Sequence, residues 1–252
     1  TPPGGGHDAS PPDDSGTDAE GDVVSGPPYV LAVLADQPVA YWRFGESSGT
    51  RAADASGHGN DATYVGGVTL GAPGAIFGDP DTAASFDGSS GFVDAANRFV
   101  FGGDQAFSLE AWVNAASVGG YLGIVSRNDA AMGPPSEGYL LFVGPSDGPI
   151  GFQRIDGSNL TTVSSTATPT AGSYVHVVAV FDGVDMYVYV DGELQGTQTG
   201  NFNLGGAMSD FVVAAEAGGT GNFFSGAIDE VAVYDKPLTA DRIKAHWVIG
   251  HG

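Results

Sequence analysis

The sequence predicts an all-β fold: a two-sheet antiparallel β-sandwich of jelly-roll type with one short C-terminal helix. Three observations predict it. Glycine and proline number 41 and 15 in 252 residues, punctuation too frequent for long helices. Short runs of apolar and β-branched residues are separated by turn signals about every ten residues, the spacing of sandwiches and barrels. No strand–helix–strand alternation of a parallel sheet is present.

The elements follow in chain order. Residues 1–27 are almost all Gly, Pro, Ser, Thr, Asp and Ala, with Val23-Val24 the only apolar pair. Such a segment buries too little surface to offset the entropy of ordering it. It is expected to be a linker, or an arm that orders only on a neighbouring subunit. Residues 28–252 are the expected folded domain. Residues 29–35 form a short apolar run, read as a helical turn, which Asp36-Gln37-Pro38 ends. Residues 39–44, rich in aromatic and β-branched side chains, read as a strand. A Gly- and Asp-rich loop occupies 50–60, and short strands are expected at 62–65, 83–87 and 92–93.

The clearest alternation lies at 107–113. Phe107, Leu109, Ala111 and Val113 fall on one face, and Ser108, Glu110 and Trp112 on the other. Strands are read at 121–126, at 138–143 and 150–153 as a hairpin, and at 175–181 and 186–190 around Asp182-Gly183-Val184-Asp185, a strong hairpin signal. Asp191-Gly192 turns toward 193–196, and 211–215 and 227–234 are the last strands. Residues 239–248 are the expected helix, with Thr239 as N-cap and Asp241 in the first turn.

Thirty acidic residues against eight basic ones give a formal charge of −22. Nucleic acid is thereby a poor partner, because its phosphates need Lys and Arg. No apolar run approaches the length that spans a bilayer, so no membrane insertion is expected. The absence of cysteine removes disulfides and thiol chemistry.

Several stretches together resemble a known family. They are Val39-Ala40-Tyr41-Trp42-Arg43-Phe44-Gly45-Glu46, the Asp54-Ala55-Ser56-Gly57-His58-Gly59-Asn60 loop, Ser85-Phe86-Asp87-Gly88, and Phe107-Ser108-Leu109-Glu110-Ala111-Trp112-Val113. Tyr187-Val188-Tyr189-Val190-Asp191-Gly192 and Gly226-Ala227-Ile228-Asp229-Glu230-Val231 complete the series. In this order they resemble the laminin-G-like, concanavalin A-like jelly-roll domains of bacterial and phage surface proteins. The resemblance implies a fold that hosts many functions.

The 54–63 loop is the expected calcium site. Asp54 and Asn60 would supply side-chain oxygens, and Gly57 and Thr63 backbone carbonyls, toward the six to eight oxygens that Ca²⁺ takes. The resemblance implies that Asp229 on the last strand completes the shell. Alternatively, Asp54, Ser56 and Asn60 make Asx-type turns and nothing more. His58 is expected to be an exposed loop residue, and His176, inside an apolar strand, a packed one. A glycan site would need aromatic faces beside polar groups. Tyr121, Tyr139 and Phe152, with Arg127, Asn128 and Arg154 near them in sequence, are its candidates; the alternative is that these aromatics are core.

No enzyme is expected. The seven glutamates show none of the Glu-x-Asp-x-Glu spacing of glycan-hydrolysing relatives. Asp229 and Glu230 are adjacent and should face opposite sides of a strand, so they cannot flank one glycosidic bond. The expected function is a non-catalytic binding or structural module at an extracellular, cell-surface or virion location. The wording of residues 39–46 resembles phage-tail and surface proteins, which implies a decoration, tail or appendage component whose partners are other protein subunits. The other reading is a calcium-dependent, lectin-like module whose partners are glycans.

Overall fold

The structure is a computed structural model that describes residues 26–129, 137–145, 148–157, 159–200, 204–205 and 208–252. Residues 1–25 of the expected arm lie outside the described residues, as do Ser146 and Asp147 of the first hairpin turn. The described chain begins with α1 (Pro28–Ala35), then β1 (Ala40–Trp42), β2 (Arg51–Ala52), β3 (Ala62–Val65), β4 (Val68–Pro73), β5 (Thr82–Asp87) and β6 (Phe92–Asp94). The long central strands are β7 (Phe107–Ala115), β8 (Leu122–Asn128), β9 (Glu137–Val143), β10 (Ile150–Asp156) and β11 (Asn159–Ser164). The chain ends with β12 (Val175–Phe181), β13 (Asp185–Val190), β14 (Glu193–Thr199), β15 (Val212–Val213), β16 (Ser225–Tyr234) and α2 (Ala240–His251).

These strands form two antiparallel sheets. The first runs β14-β13-β12-β7-β16-β5-β4, with β1 also paired to β16; the second runs β11-β10-β9-β8-β15-β6-β3-β2. The two sheets face each other over one apolar core. Phe107, Leu109, Ala111 and Val113 enter that core, as the alternation predicts. The sandwich and both predicted hairpins are therefore present, with Val143 opposite Ile150 and Phe181 opposite Met186.

The outer face of the first sheet is not open to water. Tyr41, Trp112, Val178, Val180, Ala232 and Tyr234 form a second apolar layer there with Tyr29, Val30 and Val33 of α1 and Ile243 of α2. The expected helical turn is thus a real helix of eight residues. Pro28 starts it at N1, where a missing N–H costs nothing, and its last carbonyls meet the Asp36 amide. Thr239 caps α2 as expected, accepting from the Arg242 amide at 3.3 Å. Three strands, β2, β4 and β11, were not expected from sequence.

Candidate functional site

The 54–63 loop is held by its own hydrogen bonds. Asp54 Oδ1 accepts from the amides of Tyr41 at 3.0 Å and Ser56 at 2.9 Å, and Oδ2 from that of Asn60 at 2.8 Å. These bonds draw its carboxyl below the usual carboxylate range, against the opposing effect of partial burial. Asn60 makes two further bonds: its Nδ2 donates to Val39 O at 2.7 Å, and its backbone carbonyl accepts from Trp42 Nε1 at 3.0 Å. Gly57 and His58 are exposed, and Thr63 is a ladder residue of β3, opposite Arg51 and Asp94. The Asp54–Ser56 bond is an Asx-type turn and the Ser56 Oγ–His58 amide bond its serine counterpart, whereas the Asn60 side chain ties the loop to Val39. Asp229 is engaged with another segment, its Oδ2 accepting from the Ala75 amide at 2.8 Å. Among the described residues, no three His, Asp or Glu side chains converge as a metal-holding group.

A charged cleft of about 290 Å³ opens beside this loop, lined by Arg43, Gly45, Glu46, Ala53, Ala55 and Asp81. Arg43 anchors it, with Asp79 and Asp81 each at 2.8 Å and Glu230 at 3.0 Å. One expectation is corrected here. Strict alternation would send Asp229 and Glu230 to opposite faces, but the β16–β7 register shifts between Asp229 and Ala232, and Glu230 has φ 51°. This bulge inserts an extra residue. Glu230 thereby reaches the Tyr41 hydroxyl and Arg43 of the helix-covered layer, while Asp229 lies against the 74–75 backbone. Burial, then the charge of Glu230, raises Asp229 well above its ordinary value; burial, with a smaller push from Asp81 and against the pull of Arg43 and Tyr41, raises Glu230 to about 7. Both are buried and engaged, so neither meets a substrate from solvent.

The expected sugar-binding residues are scattered in depth. Tyr139 and Phe152 are core residues, their rings 4.8 and 5.9 Å from that of Phe107. Arg154 is wholly buried beneath the second sheet, its guanidinium 3.5 Å from the Phe181 ring centre and donating to Gly200 O and Gly103 O. Arg127 is buried too and donates to Asn97 Oδ1 at 2.7 Å. Asn128 is buried, bonded to Glu216 Oε1 and the Ala217 amide. Tyr121 alone of the six is well exposed. Alternation explains the misplacement: Tyr139, Leu141, Phe152 and Val163 point inward, leaving Leu140, Phe142, Gly151, Gln153 and Thr162 for the outer face.

That outer face carries features that the sequence did not disclose. The Tyr121 ring lies 5.2 Å from the Phe142 ring, and the Phe142 ring covers Gly151, where a Cβ would collide with it. Segment 214–222 flanks β8: Ser126 Oγ donates to Ala215 O, and the Gly123 amide to Asn222 O at 2.7 Å. Buried Glu216 is the hub, accepting from the side chains of both Asn128 and Asn222. Ala214, Ala217 and Asn222 have φ of 68°, 52° and 47°, left-handed values that cost non-glycine residues energy and cluster at binding sites. Asn222 is thus an exposed residue on an over-determined loop, its side-chain amide held by Glu216 and its carbonyl by the Gly123 amide.

One buried carboxylate gathers four side-chain partners. Glu110, fully buried beneath both helices, accepts from Tyr234 Oη at 2.7 Å and Tyr29 Oη at 3.1 Å, and faces His176 Nε2 at 2.8 Å and His246 Nδ1 at 3.0 Å. His246 also meets Asp36 Oδ2 at 3.0 Å. His176 is accordingly packed, as expected.

A laminin-G profile described as the Concanavalin A-like lectin/glucanases superfamily matches residues 87–244. The chain belongs to this superfamily. Among solved structures this concanavalin A-like chain is similar to domain 4 of AbnA, a GH43 extracellular arabinanase from Geobacillus stearothermophilus, in complex with arabinotriose. The two share 18% identity at a TM-score of 0.67, over 83% of this chain and 98% of that one. It is also similar to the binding domain of Paraclostridial Mosquitocidal Protein 1, at 13% identity and TM-score 0.65, over 85% and 52% of the two chains. The Botulinum Neurotoxin serotype G binding domain matches at 13% and 0.58, over 84% and 51%. The chain spans about half the length of these two binding domains. At such identities the likeness is one of fold. No curated protein matches the sequence.

Proposed function

We propose that this chain is a non-catalytic, extracellular glycan-binding module. The observation that carries the reading is the exposed Tyr121 ring, set on Phe142 at the outer face of the second sheet, two residues before Gly123, whose amide donates to Asn222 O. An aromatic face beside a fixed amide suits a sugar, which offers C–H to a ring and hydroxyls to polar groups. Gln153 and Thr162, bonded to each other at 3.2 Å on the same face, add further polar groups. The arabinotriose bound by the similar arabinanase domain supports the glycan class. The non-catalytic part rests on the burial of Asp229, Glu230 and Glu110, whose oxygens are all engaged within the protein. No helix among the described residues is long and apolar enough to cross a membrane.

The test is affinity electrophoresis of the intact chain through gels containing soluble polysaccharides, with a reducing-sugar assay alongside. Retardation without release of reducing ends is expected, and Tyr121→Ala should weaken it about tenfold, the scale of a lost aromatic contact. Hydrolysis, or retardation indifferent to Tyr121, overturns the reading.

Calcium held by the 54–63 loop with Asp229 belongs to the same proposal, since that loop carries the carboxylate, amide and carbonyl oxygens a divalent cation takes. EDTA should then lower the melting temperature, and chelator-insensitive melting removes calcium from the account. A role as a decoration, tail or appendage component, supported by the wording of residues 39–46, stands second.

A further inference from the structure

The structure places all eight lysines and arginines of the chain, and from their positions we infer that the glycan recognised is uncharged. This inference rests on the glycan-binding reading and specifies its ligand class.

An anionic sugar, whether carboxylated, sialylated, sulfated or phosphorylated, is recognised by Arg or Lys. Here those cations are engaged elsewhere. Arg43 is held among Asp79, Asp81 and Glu230. Arg51 pairs with Asp61, Arg242 with Asp36, and Lys244 with Glu193. Arg98 donates to the backbone carbonyls of Asp61 and Ala95. Three cations lie on strands of the second sheet: Arg127 and Arg154 point away from its outer face and are buried, at 2% and 0% exposure, while exposed Arg51 sits on the edge strand β2, four strands from β8, and pairs with Asp61. Lys236 remains, in the β16–α2 connection, on the other sheet from Tyr121. An anionic chain approaching the Tyr121–Phe142 face would thus meet no cation presented outward by β8, β9, β10 or β11, on a molecule whose formal charge is −22.

A cationic sugar fares no better at this face. The carboxylate of the 214–222 segment is Glu216, which is buried and already accepts from the amides of Asn128 and Asn222. An ammonium group would have to compete with both. The groups presented outward are a phenol ring, amides and a hydroxyl, from Tyr121, Asn222, Gln153 and Thr162. These are neutral donors and acceptors, matched to the hydroxyls of a neutral hexose or pentose polymer.

Affinity electrophoresis of the full chain tests this at low salt and at about tenfold higher salt, where exposed charge pairing is screened. The gels would contain arabinan or mannan, polygalacturonate, heparin, or chitosan. Retardation confined to neutral gels and equal at both salts is the expected result. Retardation by polygalacturonate or heparin that matches or exceeds the neutral gels overturns the inference and leaves the glycan reading intact. Retardation by chitosan alone does the same. Migration unaffected by every gel overturns both.

Discussion

Glu110 shows how far a single residue can be read. Alternation puts it opposite Leu109 and Ala111, which is correct, but a carboxylate on that face would ordinarily meet water. Only the docking of two helices, assembled from opposite ends of the domain, turns it into a buried hub with Tyr29, Tyr234, His176 and His246. Those partners lie more than sixty residues away, and no local pattern links them. Glu110→Ala would leave four buried donors without their acceptor and should cost about 3–5 kcal/mol in urea unfolding. The pair also fixes a pH window. Coulombic attraction and hydrogen bonds from the two histidines hold Glu110 well below 4.5 despite its burial, so its contribution is present above 4.5 and lost as pH falls through the depressed value. Glu110 and Asp36 raise His246 above 6.5, also against burial; that contribution is full below 6.5 and lost as pH rises through the raised value. The ion pair should therefore stabilise most between pH 4.5 and 6.5. His246→Gln should flatten the alkaline limb of the stability profile, and an unchanged limb would remove the ion pair from the account.

At the scale of the element, legibility follows burial. β7 was readable because one face enters the core at every second residue; Leu109→Ala should cost about 2–5 kcal/mol, and a change below about 0.5 kcal/mol would mean the faces are reversed. β4 and β11 were not readable. Gly71 and Pro73 give β4 the composition of a loop, and Asn159, Thr161, Thr162 and Ser164 make β11 mostly polar. Neighbouring strands and not intrinsic preference order such edges. The β16 bulge was equally hidden, since a residue with positive φ inside a strand carries no signal unless it is glycine. The candidate face suffered from the same limit of a period of two: choosing the wrong parity at β9 and β10 placed Tyr139 and Phe152 outside, where Phe142 and Gln153 belong. Segment 214–222 escaped notice because Glu216 and Asn222 are ordinary residues until the fold brings them beside Asn128 and Gly123.

For the whole molecule, composition and motif order carried the fold class and family. The −22 charge carried the expectation that nucleic acid is a poor partner, while the positions of the eight cations, which bear on ligand charge, needed three dimensions. The domain's described core begins at Tyr29, and the Pro27 carbonyl already accepts from Leu31 of α1. Removing residues 1–25 should therefore leave the melting temperature within about a degree. If the truncated chain also fails to assemble where the full chain does, the appendage reading rises above the glycan one. The proposed function places polysaccharide binding at the face around Tyr121. Calorimetric titration of the intact chain and of Tyr121→Ala with the polysaccharide that retards it most tests this directly. Saturable heat is expected for the intact chain and a loss of affinity of about tenfold in the variant, with equal melting temperatures. Equal affinities in two equally stable proteins would contradict it.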